Sequence, residues 1–532
     1  MLKLILIVAT ITRILWLPHL PASLNWDEIS MGVSAHSILE TGRDEWGSQL
    51  PILFRSYGEW KSAVYIYLLV PFIKVIGLNA WAVRLPSALA GILAVYLSYL
   101  IGKKIYNEKI GLWAAFFLAV SPWHLLLSRP AFEANVSLTL ILAGVYFFLR
   151  SSPISHYPSI IYSAILFGLA PHTYNSAKVV VPFLVLYLVF STRLYQRLKD
   201  LLIFLGILLL FATPILLNLF SGRAQYRYSQ VGVTTDLKGL NEFIDTRRTF
   251  PMPPLVNKLS FNRGTYFIRQ TIGNYLAYFD PSFLVWEAGD HNQHHLKFFG
   301  VLYKVEFVFA LLGLVTLFSR NSSSLTHYPL IIIFLGFLPA AMTRDSHHVL
   351  RSILTLPGWQ LLAALGLIQA QKTFKPIIHY ALCLILIFEI SIFLLTYFTW
   401  YPKAFARDWQ AGYSEVATYL QTHESEYDRI VMTKWYGEPQ LFLAFYNRWD
   451  PLWYQAENQQ NIRYETEGKI WLDQLSEYAI GKYTFKYINW QDEDKTPRTL
   501  FIGKWDDFYP DSNIVKTIYF PDNSIAFLLV ET

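Results

Sequence analysis

Charged residues are scarce in this sequence of 532 residues. Asp, Glu, Lys and Arg together make up 15% of the chain, whereas a soluble domain has roughly 25%. Hydrophobic residues reach 54%, so the composition excludes an ordinary soluble domain. The net charge is only +6, and no block of Lys and Arg stands out, which argues against nucleic acid as a partner.

Cysteine is almost absent. The single cysteine, Cys383, excludes a disulfide within the chain. The phosphate-binding pattern GxxxxGK followed by Ser or Thr is also missing, which argues against an ATP-driven pump. The sequence has no internal repeat and no low-complexity segment.

The sequence is instead rich in long apolar runs of roughly 17 to 22 residues, the length that crosses a ~30 Å hydrocarbon core. They predict an all-α polytopic membrane protein with about eleven transmembrane helices. The predicted spans are 3–20, 83–102, 110–128, 132–149, 158–172, 177–192, 200–220, 298–318, 327–343, 351–371 and 376–399. The first run lacks a clear cleavage site, so we interpret it as a retained span rather than a signal peptide.

A twelfth apolar run, 62–76, is short and contains Pro71 and Lys74. If it does not span, every predicted cytoplasmic loop is rich in Lys or Arg, as the positive-inside rule expects. We therefore expect an interfacial or re-entrant segment, with a true twelfth span as the open alternative. This topology makes the loops 21–82 and 221–297 external.

The chain after residue 400 has a different composition, with more charge and short β-type runs. These runs are 429–433, 482–488, 499–503, 514–520 and 524–531, with a helical stretch at 438–448. They predict a small extracytoplasmic α/β domain over 401–532, following a transmembrane domain over 1–400.

Two adjacent carboxylates, Asp27 and Glu28, follow the first apolar run. Asn25 can cap a helix that starts at Trp26, and Glu28 would complete a capping box. A purely structural role is therefore plausible for both acids. However, acids beside a membrane span are costly and are often functional.

Three cations fall on the same predicted side of the membrane: Lys61, Arg129 and Arg351. A carboxylate that faces cations suits a base that takes a proton from a hydroxyl, beside a site that holds a phosphate leaving group. Asp27 is the candidate base, and the three cations are candidate phosphate-binding residues.

Several motifs together resemble a known family. They are the Asp27–Glu28 pair, the lysine before an apolar stretch, "RLPSALAG" (84–91), "SPWHLLLSR" (121–129) and the run from Arg to Pro at 351–357. In order and sidedness they are similar to the C-type glycosyltransferases (GT-C) related to protein O-mannosyltransferases and to the lipid A aminoarabinose transferase. The resemblance covers about residues 1–400 and implies a polyprenyl-phosphate sugar donor with chemistry on the extracytoplasmic side.

The resemblance also implies roles for individual residues. Asp27 matches the catalytic acid of the first loop, with Glu28 as its neighbour. Lys61 matches the lysine that meets the lipid phosphate, although "KSAVYIY" departs from the Lys-Pro-Pro of the lipid A enzymes. Arg129 and Glu133 match an Arg and an acid at an external span junction, although their spacing of four differs from the common five.

Other polar residues are predicted to contact substrate. His172 and Tyr174 fall at an external turn, where a solvated turn is the alternative. Asp290, His294, His295 and His348 lie in two further external segments. Their spacing, with that of His291, fits no standard zinc pattern, so we assign no metal, and the reaction needs none, although a divalent ion stays open.

The resulting hypothesis is an integral glycosyltransferase of the plasma (inner) membrane. It moves a sugar from a polyprenyl-phosphate carrier to a hydroxyl acceptor on a protein, lipid or glycan, by one inverting displacement. A transporter or lipid flippase is the rival class, but it should show repeat symmetry and polar residues inside broken spans. Neither feature is evident in the sequence.

Overall fold

The computed structural model describes residues 1–56, 58–151, 157–220, 230–289, 291–319 and 323–532. The chain forms two compact units, each assembled from segments that are distant in sequence. Unit 1 contains Met1–Arg13, Leu89–Ser128 and Glu133–Phe393, and unit 2 contains Ile14–Ala88, Arg129–Phe132 and Leu394–Thr532.

Unit 1 is helical in the residues that are described. Its helices, three of which have residues in unit 2, are Leu2–Ile14, Ala80–Ile105, Glu108–Val120, Pro122–Ser128, Glu133–Arg150, Tyr157–Leu169, Ala177–Ser191, Leu198–Phe220, Leu237–Thr249, Pro254–Ser260, Arg263–Ala277, Lys304–Phe318, Tyr328–Ala341, Gly358–Thr373 and Pro376–Thr399.

Two glycines allow a pair of these helices to pack with their backbones close together. A Cβ atom on Gly313 would lie 1.9 Å from the carbonyl oxygen of Leu362, and one on Gly366 would lie 1.8 Å from that of Phe309. Small residues permit this approach where helices pack by van der Waals contact rather than by the exclusion of water. Alanine at either position would force the two helices apart.

Within the described ranges, six helices are long and apolar enough to cross a membrane. A seventh span is possible if Glu108–Val120 and Pro122–Ser128, which meet at a bend of 59°, cross together. All eleven predicted segments are helical over most of their length. Several of these helices are shorter than a full span, so the predicted count of eleven remains a prediction.

The uncertain run at 62–76 forms the 14-residue helix Ala63–Ile76. At 1.5 Å per residue it is about 21 Å long, shorter than a ~30 Å hydrocarbon core. Its length favours the interfacial placement, whereas a full crossing would need added residues or a thinner bilayer.

Unit 2 combines the first loop with the tail. The loop contributes the helix Trp26–Thr41 and an antiparallel hairpin of β1 (Leu53–Ser56) and β2 (Glu59–Ser62). The tail helices are Tyr401–Ala404, Tyr413–His423, Pro439–Tyr446, Pro451–Asn461 and Arg463–Thr466.

A six-stranded sheet forms the centre of the tail. Its strands are β3 (Arg429–Thr433), β4 (Glu477–Ile480), β5 (Tyr483–Lys486), β6 (Thr499–Gly503), β7 (Ile514–Tyr519) and β8 (Ile525–Glu531), in the order β4-β5-β3-β6-β8-β7. Strand β3 is parallel to both β5 and β6, and the other pairs are antiparallel. The predicted α/β tail is therefore confirmed as a fold, and its extracytoplasmic location remains a prediction.

The central strands explain why the tail was recognisable in sequence. β6 is buried at all five residues, and β3 is buried at four of five. Strands covered on both faces have nearly continuous apolar sequences. Val431, Phe501 and Val530 pack with Trp490 and Phe508 in one cluster of this core.

Candidate active site

Asp27 and Lys61 form an ion pair in unit 2. The Nζ atom of Lys61 lies 2.6 Å from Oδ1 of Asp27. The Asp27 side chain is 39% exposed, whereas that of Lys61 is 8% exposed. Asp27 therefore reaches solvent, whereas Lys61 beside it is almost completely enclosed by protein.

Local structure explains the position of each partner. Asp27 lies in the first turn of Trp26–Thr41, where the helix dipole favours a carboxylate. The backbone N–H of Trp26 donates to the side-chain oxygen of Gln410 at 2.8 Å. The Trp26 ring packs so closely on Gly437 that a Cβ atom there would lie 2.5 Å from it. Lys61 lies on β2, opposite Phe54 of β1.

A second carboxylate, Glu45, interacts with Lys61 from the interior. Glu45 is 3% exposed. Burial, reinforced by the neighbouring charge of Asp44, raises the pKa of Glu45 to about 8, and the positive charge of Lys61 opposes the rise. Glu45 is thus mainly protonated at neutral pH, which leaves Asp27 as the carboxylate that contacts Lys61 directly.

Glu45 lines a narrow cavity within unit 2. Aromatic side chains form much of its wall, and a second acid, Glu438, lies on the tail side. The other lining residues include Trp46, Tyr454, Tyr464, Trp471 and Gln440. Burial and the charge of Asp473 raise the pKa of Glu438 well above its ordinary value.

Glu438 belongs to a hydrogen-bond network in the tail. The side-chain amide of Gln440 donates to Oε2 of Glu438 at 2.6 Å. The backbone N–H of Glu438 donates to Asp473 at 2.6 Å. The Tyr478 hydroxyl lies 2.6 Å from both Gln440 Oε1 and Asp473 Oδ1. These hydrogen bonds hold the side chains that line the tail side of the cavity.

Glu28 makes contacts of a different kind. Its carboxylate is fully buried and meets the guanidinium of Arg84 through two bonds of 2.9 Å. The backbone N–H of Asn25 and that of Ala131 also donate to it, at 3.1 Å and 2.9 Å. The Asn25–Glu28 capping box is present. With its oxygens occupied in this way, Glu28 is better explained as a structural residue than as part of a catalytic pair.

Arg129 is also fully buried in unit 2. Its guanidinium donates to the carbonyl oxygens of Leu15 and Leu20 at 2.7 to 3.3 Å. It also lies 5.8 Å and 5.2 Å from the ring centroids of Tyr397 and Phe398. These contacts hold chain segments together, so the geometry favours a structural role over the predicted phosphate contact.

Arg351 belongs to unit 1. Its guanidinium donates to Oγ1 of Thr343 at 2.9 Å and lies 3.6 Å from Asp345. Its backbone N–H donates to Nδ1 of His348 at 3.3 Å. The structure therefore joins Arg351 to one of the predicted histidines.

Three histidines from two distant segments converge beside Arg351. The ring centroids of His291, His294 and His348 lie 4.8 to 5.3 Å from one another. Burial, together with the charges of His291 and Arg351, lowers the pKa of His294 to about 3, so this ring is neutral at physiological pH. Nδ1 of His295 lies 2.9 Å from the carbonyl oxygen of His291, so that its N–H can donate there.

The remaining predicted residues are also placed in unit 1. Glu133 begins the helix Glu133–Arg150 and is half-buried. Nε2 of His172 lies 2.7 Å from the carbonyl oxygen of Phe211, so its N–H can serve helix packing, and Tyr174 is half-buried at the same turn. Asp290 lies outside the described residues. Among those described, no group of three or more His, Cys, Asp or Glu side chains could hold a metal ion.

Sequence reasoning missed three buried charged residues of unit 2: Arg84, Glu45 and Glu438. Arg84 opens the motif at 84–91, and an Arg within an apolar run signals a buried partner. No local pattern distinguishes Glu45 or Glu438 from a solvated acid, because each is buried by segments that are remote in sequence.

Comparison with known proteins defines the class of fold. The chain is similar to ArnT from Cupriavidus metallidurans bound to undecaprenyl phosphate, with a TM-score of 0.52 and 12% identity over 99% of this chain and 96% of that one. Apo ArnT gives a TM-score of 0.51 over the same shares. The archaeal oligosaccharyltransferase AglB from Archaeoglobus fulgidus gives 0.46, with 13% identity over 84% of this chain and 63% of that one. The fold of this chain is therefore similar to that of ArnT.

Sequence comparison finds a family match in part of the chain. Residues 61–217 match the family model of the dolichyl-phosphate-mannose-protein mannosyltransferases. No curated protein matches the chain in sequence. The match covers less than a third of the chain, so it shows that this part is similar to the family. The resemblance to PMT-like C-type glycosyltransferases that the motifs predicted is thereby confirmed as a similarity.

Proposed function

We propose that this protein transfers a sugar from a polyprenyl-phosphate carrier to a hydroxyl group of an acceptor. The matched family is described by a dolichyl-phosphate donor, and the similar ArnT structure holds undecaprenyl phosphate. Both are long isoprenoid phosphates, which suits a donor that stays in the bilayer. The active site and the tail would face the extracytoplasmic side of the plasma (inner) membrane.

The Asp27–Lys61 pair is the observation that carries this proposal. A base must be ionised and open to solvent to receive a proton from an incoming hydroxyl. A cation that neutralises a leaving phosphate should be held in place before the reaction. The half-exposed Asp27 and the nearly buried Lys61, 2.6 Å apart, meet both requirements.

The proposed reaction is a single displacement. The acceptor oxygen forms a bond to the anomeric carbon and gives its proton to Asp27. The bond between that carbon and the phosphate oxygen breaks, and the electron pair leaves with the lipid phosphate beside Lys61. One displacement inverts the anomeric configuration.

Replacing Asp27 with Asn tests the base. General-base catalysis contributes about 10²–10⁴-fold to rate, so Asp27→Asn should lose most transfer while it remains folded in the membrane. The acceptor need not be known: mass spectrometry identifies the glycan that disappears on gene deletion, and each variant is tested for its restoration. Glu108→Gln, which changes an exposed first-turn acid of another helix, should restore it fully.

Two outcomes would contradict the proposal. Full restoration by Asp27→Asn would exclude the residue as the base. Movement of intact labelled sugar lipid across vesicles by the purified protein, without any glycosidic product, would instead support the rival flippase.

A further inference from the structure

Three large aromatic side chains are exposed at one end of the strands of the tail sheet. Trp435 and Tyr487 are each 59% exposed, and Trp505 is 63% exposed. Large apolar surface on a folded domain is informative when it is clustered, because it marks a place where something binds. Trp and Tyr are favoured at such places because each combines a broad apolar face with a polar atom.

The sheet topology explains why these three residues meet. Strands β3, β5 and β6 are parallel, and they end at Thr433, Lys486 and Gly503. Trp435, Tyr487 and Trp505 each follow the end of one of these strands by one or two residues. Ligands of open α/β sheets bind outside the carboxyl ends of the strands, where the loops diverge.

Side-chain contacts confirm the cluster. The rings of Trp435 and Tyr487 have centroids 6.3 Å apart and meet edge to face. The Nζ atom of Lys504 lies 5.0 Å from the centroid of Trp435, which brings the loop of Trp505 beside the other two rings. We refer to Trp435, Tyr487 and Trp505 as the aromatic platform.

The loop that carries Trp505 is held by contacts of its neighbour Lys504. The Lys504 ammonium lies 2.5 Å from Asp506 and 3.2 Å from Asp507. The backbone N–H of Lys504 donates to Asp507, and that of Asp507 donates back to the Lys504 carbonyl. A site ordered in advance loses less entropy when it binds.

The charges around the rings identify the kind of ligand. Two cations reach the platform. Lys504 is already paired with Asp506 and Asp507. Lys434, whose Nζ atom lies 5.0 Å from the centroid of Tyr487, is buried and donates to the carbonyl oxygens of Asp473 and Leu475. An anionic bilayer or a nucleic acid would require an excess of positive charge. A neutral sugar requires none: its C–H face packs on an aromatic ring, and its hydroxyls bond to nearby ammonium and carboxylate groups.

We propose that the aromatic platform binds a neutral oligosaccharide, and that it presents the acceptor glycan to the transferase. The binding step stands on the tail alone, whereas the role in presenting the acceptor rests on the proposed function. Of the acceptors left open, this proposal selects a glycan, or a lipid or protein that already carries one.

The test uses the full-length protein in lipid nanodiscs, labelled with 5-fluorotryptophan. Trp435→Phe and Trp505→Phe assign two ¹⁹F signals. Cellohexaose, chitohexaose and mannohexaose serve as probes, and at least one should shift both signals. Trp435→Ala and Trp505→Ala should each weaken that binding about tenfold, the effect of losing roughly 1.4 kcal/mol of aromatic stacking.

Tyr519→Ala is the matched control, because Tyr519 is 55% exposed on β7, the strand at the far edge of the sheet from β5. It should leave the affinity unchanged. The absence of shifts with all three probes would overturn the proposal, as would equal affinity in the alanine variants. Broadening of both signals by spin-labelled lipid, without any response to sugar, would show instead that the platform contacts the membrane.

Repeating the titration with Asp27→Asn separates the two proposals. Binding that persists while transfer is lost supports both. Transfer that persists in Asp27→Asn, with the platform still binding sugar, would overturn only the assignment of the base.

Discussion

Glu45→Gln tests whether a neutral acid lies behind the Asp27–Lys61 pair. The side chain of Glu45 is buried, and its folded-state pKa is about 8, compared with 4.5 for an ordinary Glu. The folded protein therefore keeps a proton that the unfolded chain releases. Between pH 4.5 and 8 the folded state binds more protons, so this group makes the protein less stable as the pH rises.

The size of the effect follows from the two pKa values. One pKa unit corresponds to about 1.4 kcal/mol. The difference between 4.5 and about 8 then costs the folded state about 3 kcal/mol at pH 7 and about 5 kcal/mol above pH 8. Gln resembles the protonated acid in shape and never ionises, so Glu45→Gln should remove the cost.

Thermal unfolding in detergent measures the outcome. The Tm of Glu45→Gln should match that of the parent near pH 4.5 and exceed it by several degrees at pH 8, with the gap widening between these values. Glu477→Gln, at an exposed position on β4, should show no such trend. If the Tm difference between Glu45→Gln and the parent is the same at every pH, or if the variant is the less stable protein at pH 8, Glu45 does not titrate as described.

Two other substitutions examine residues around the pair. Lys61→Gln removes the cation proposed to bind the leaving phosphate. Loss of a charged hydrogen bond of about 1.5–3 kcal/mol should lower kcat/KM for the donor about 10- to 100-fold, and Lys61→Arg should retain more activity. If Lys61→Gln has the same kcat/KM as the parent, the phosphate contact is excluded. Glu28→Gln leaves the buried Arg84 without its counter-charge and should destabilise the protein by about 3–5 kcal/mol, seen as a large fall in Tm. Glu465→Gln, at the half-exposed pair with Arg55, should destabilise the protein by less than about 1 kcal/mol. If the two variants lose similar stability, burial does not make the Glu28–Arg84 pair more important than the exposed pair.

Local patterns in the sequence were sufficient for much of the fold. Apolar runs long enough to cross a bilayer, the Asn25–Glu28 capping box and the buried strands of the tail each depend on residues close together in the chain. The predicted segments 429–433 and 499–503 coincide with β3 and β6. The strand Glu477–Ile480 was not predicted, because its four residues, EYAI, are too few to show the alternation of polar and apolar residues that marks a strand.

The candidate site was only partly predictable. Asp27 and Lys61 were both singled out from the sequence, but their direct contact depends on how β2 packs beside the helix of residue 27. Glu28 has the same charge as Asp27, and Arg129 has the same charge as Lys61. Burial nevertheless gives Glu28 and Arg129 structural contacts. Exposure, which separates these cases, is a property of the surrounding chain and not of the residue.

The amino-acid sequence by itself determined that the chain enters a membrane, where its helices begin, and which superfamily it resembles, since each depends on composition or on short motifs. Tertiary structure alone decided that Glu45 is buried near Lys61, that three histidines from two loops meet, and that three strand ends gather one aromatic platform. The physical reason is that desolvation and charge pairing act between side chains that belong to separate segments of the chain, and no local pattern records which segments meet.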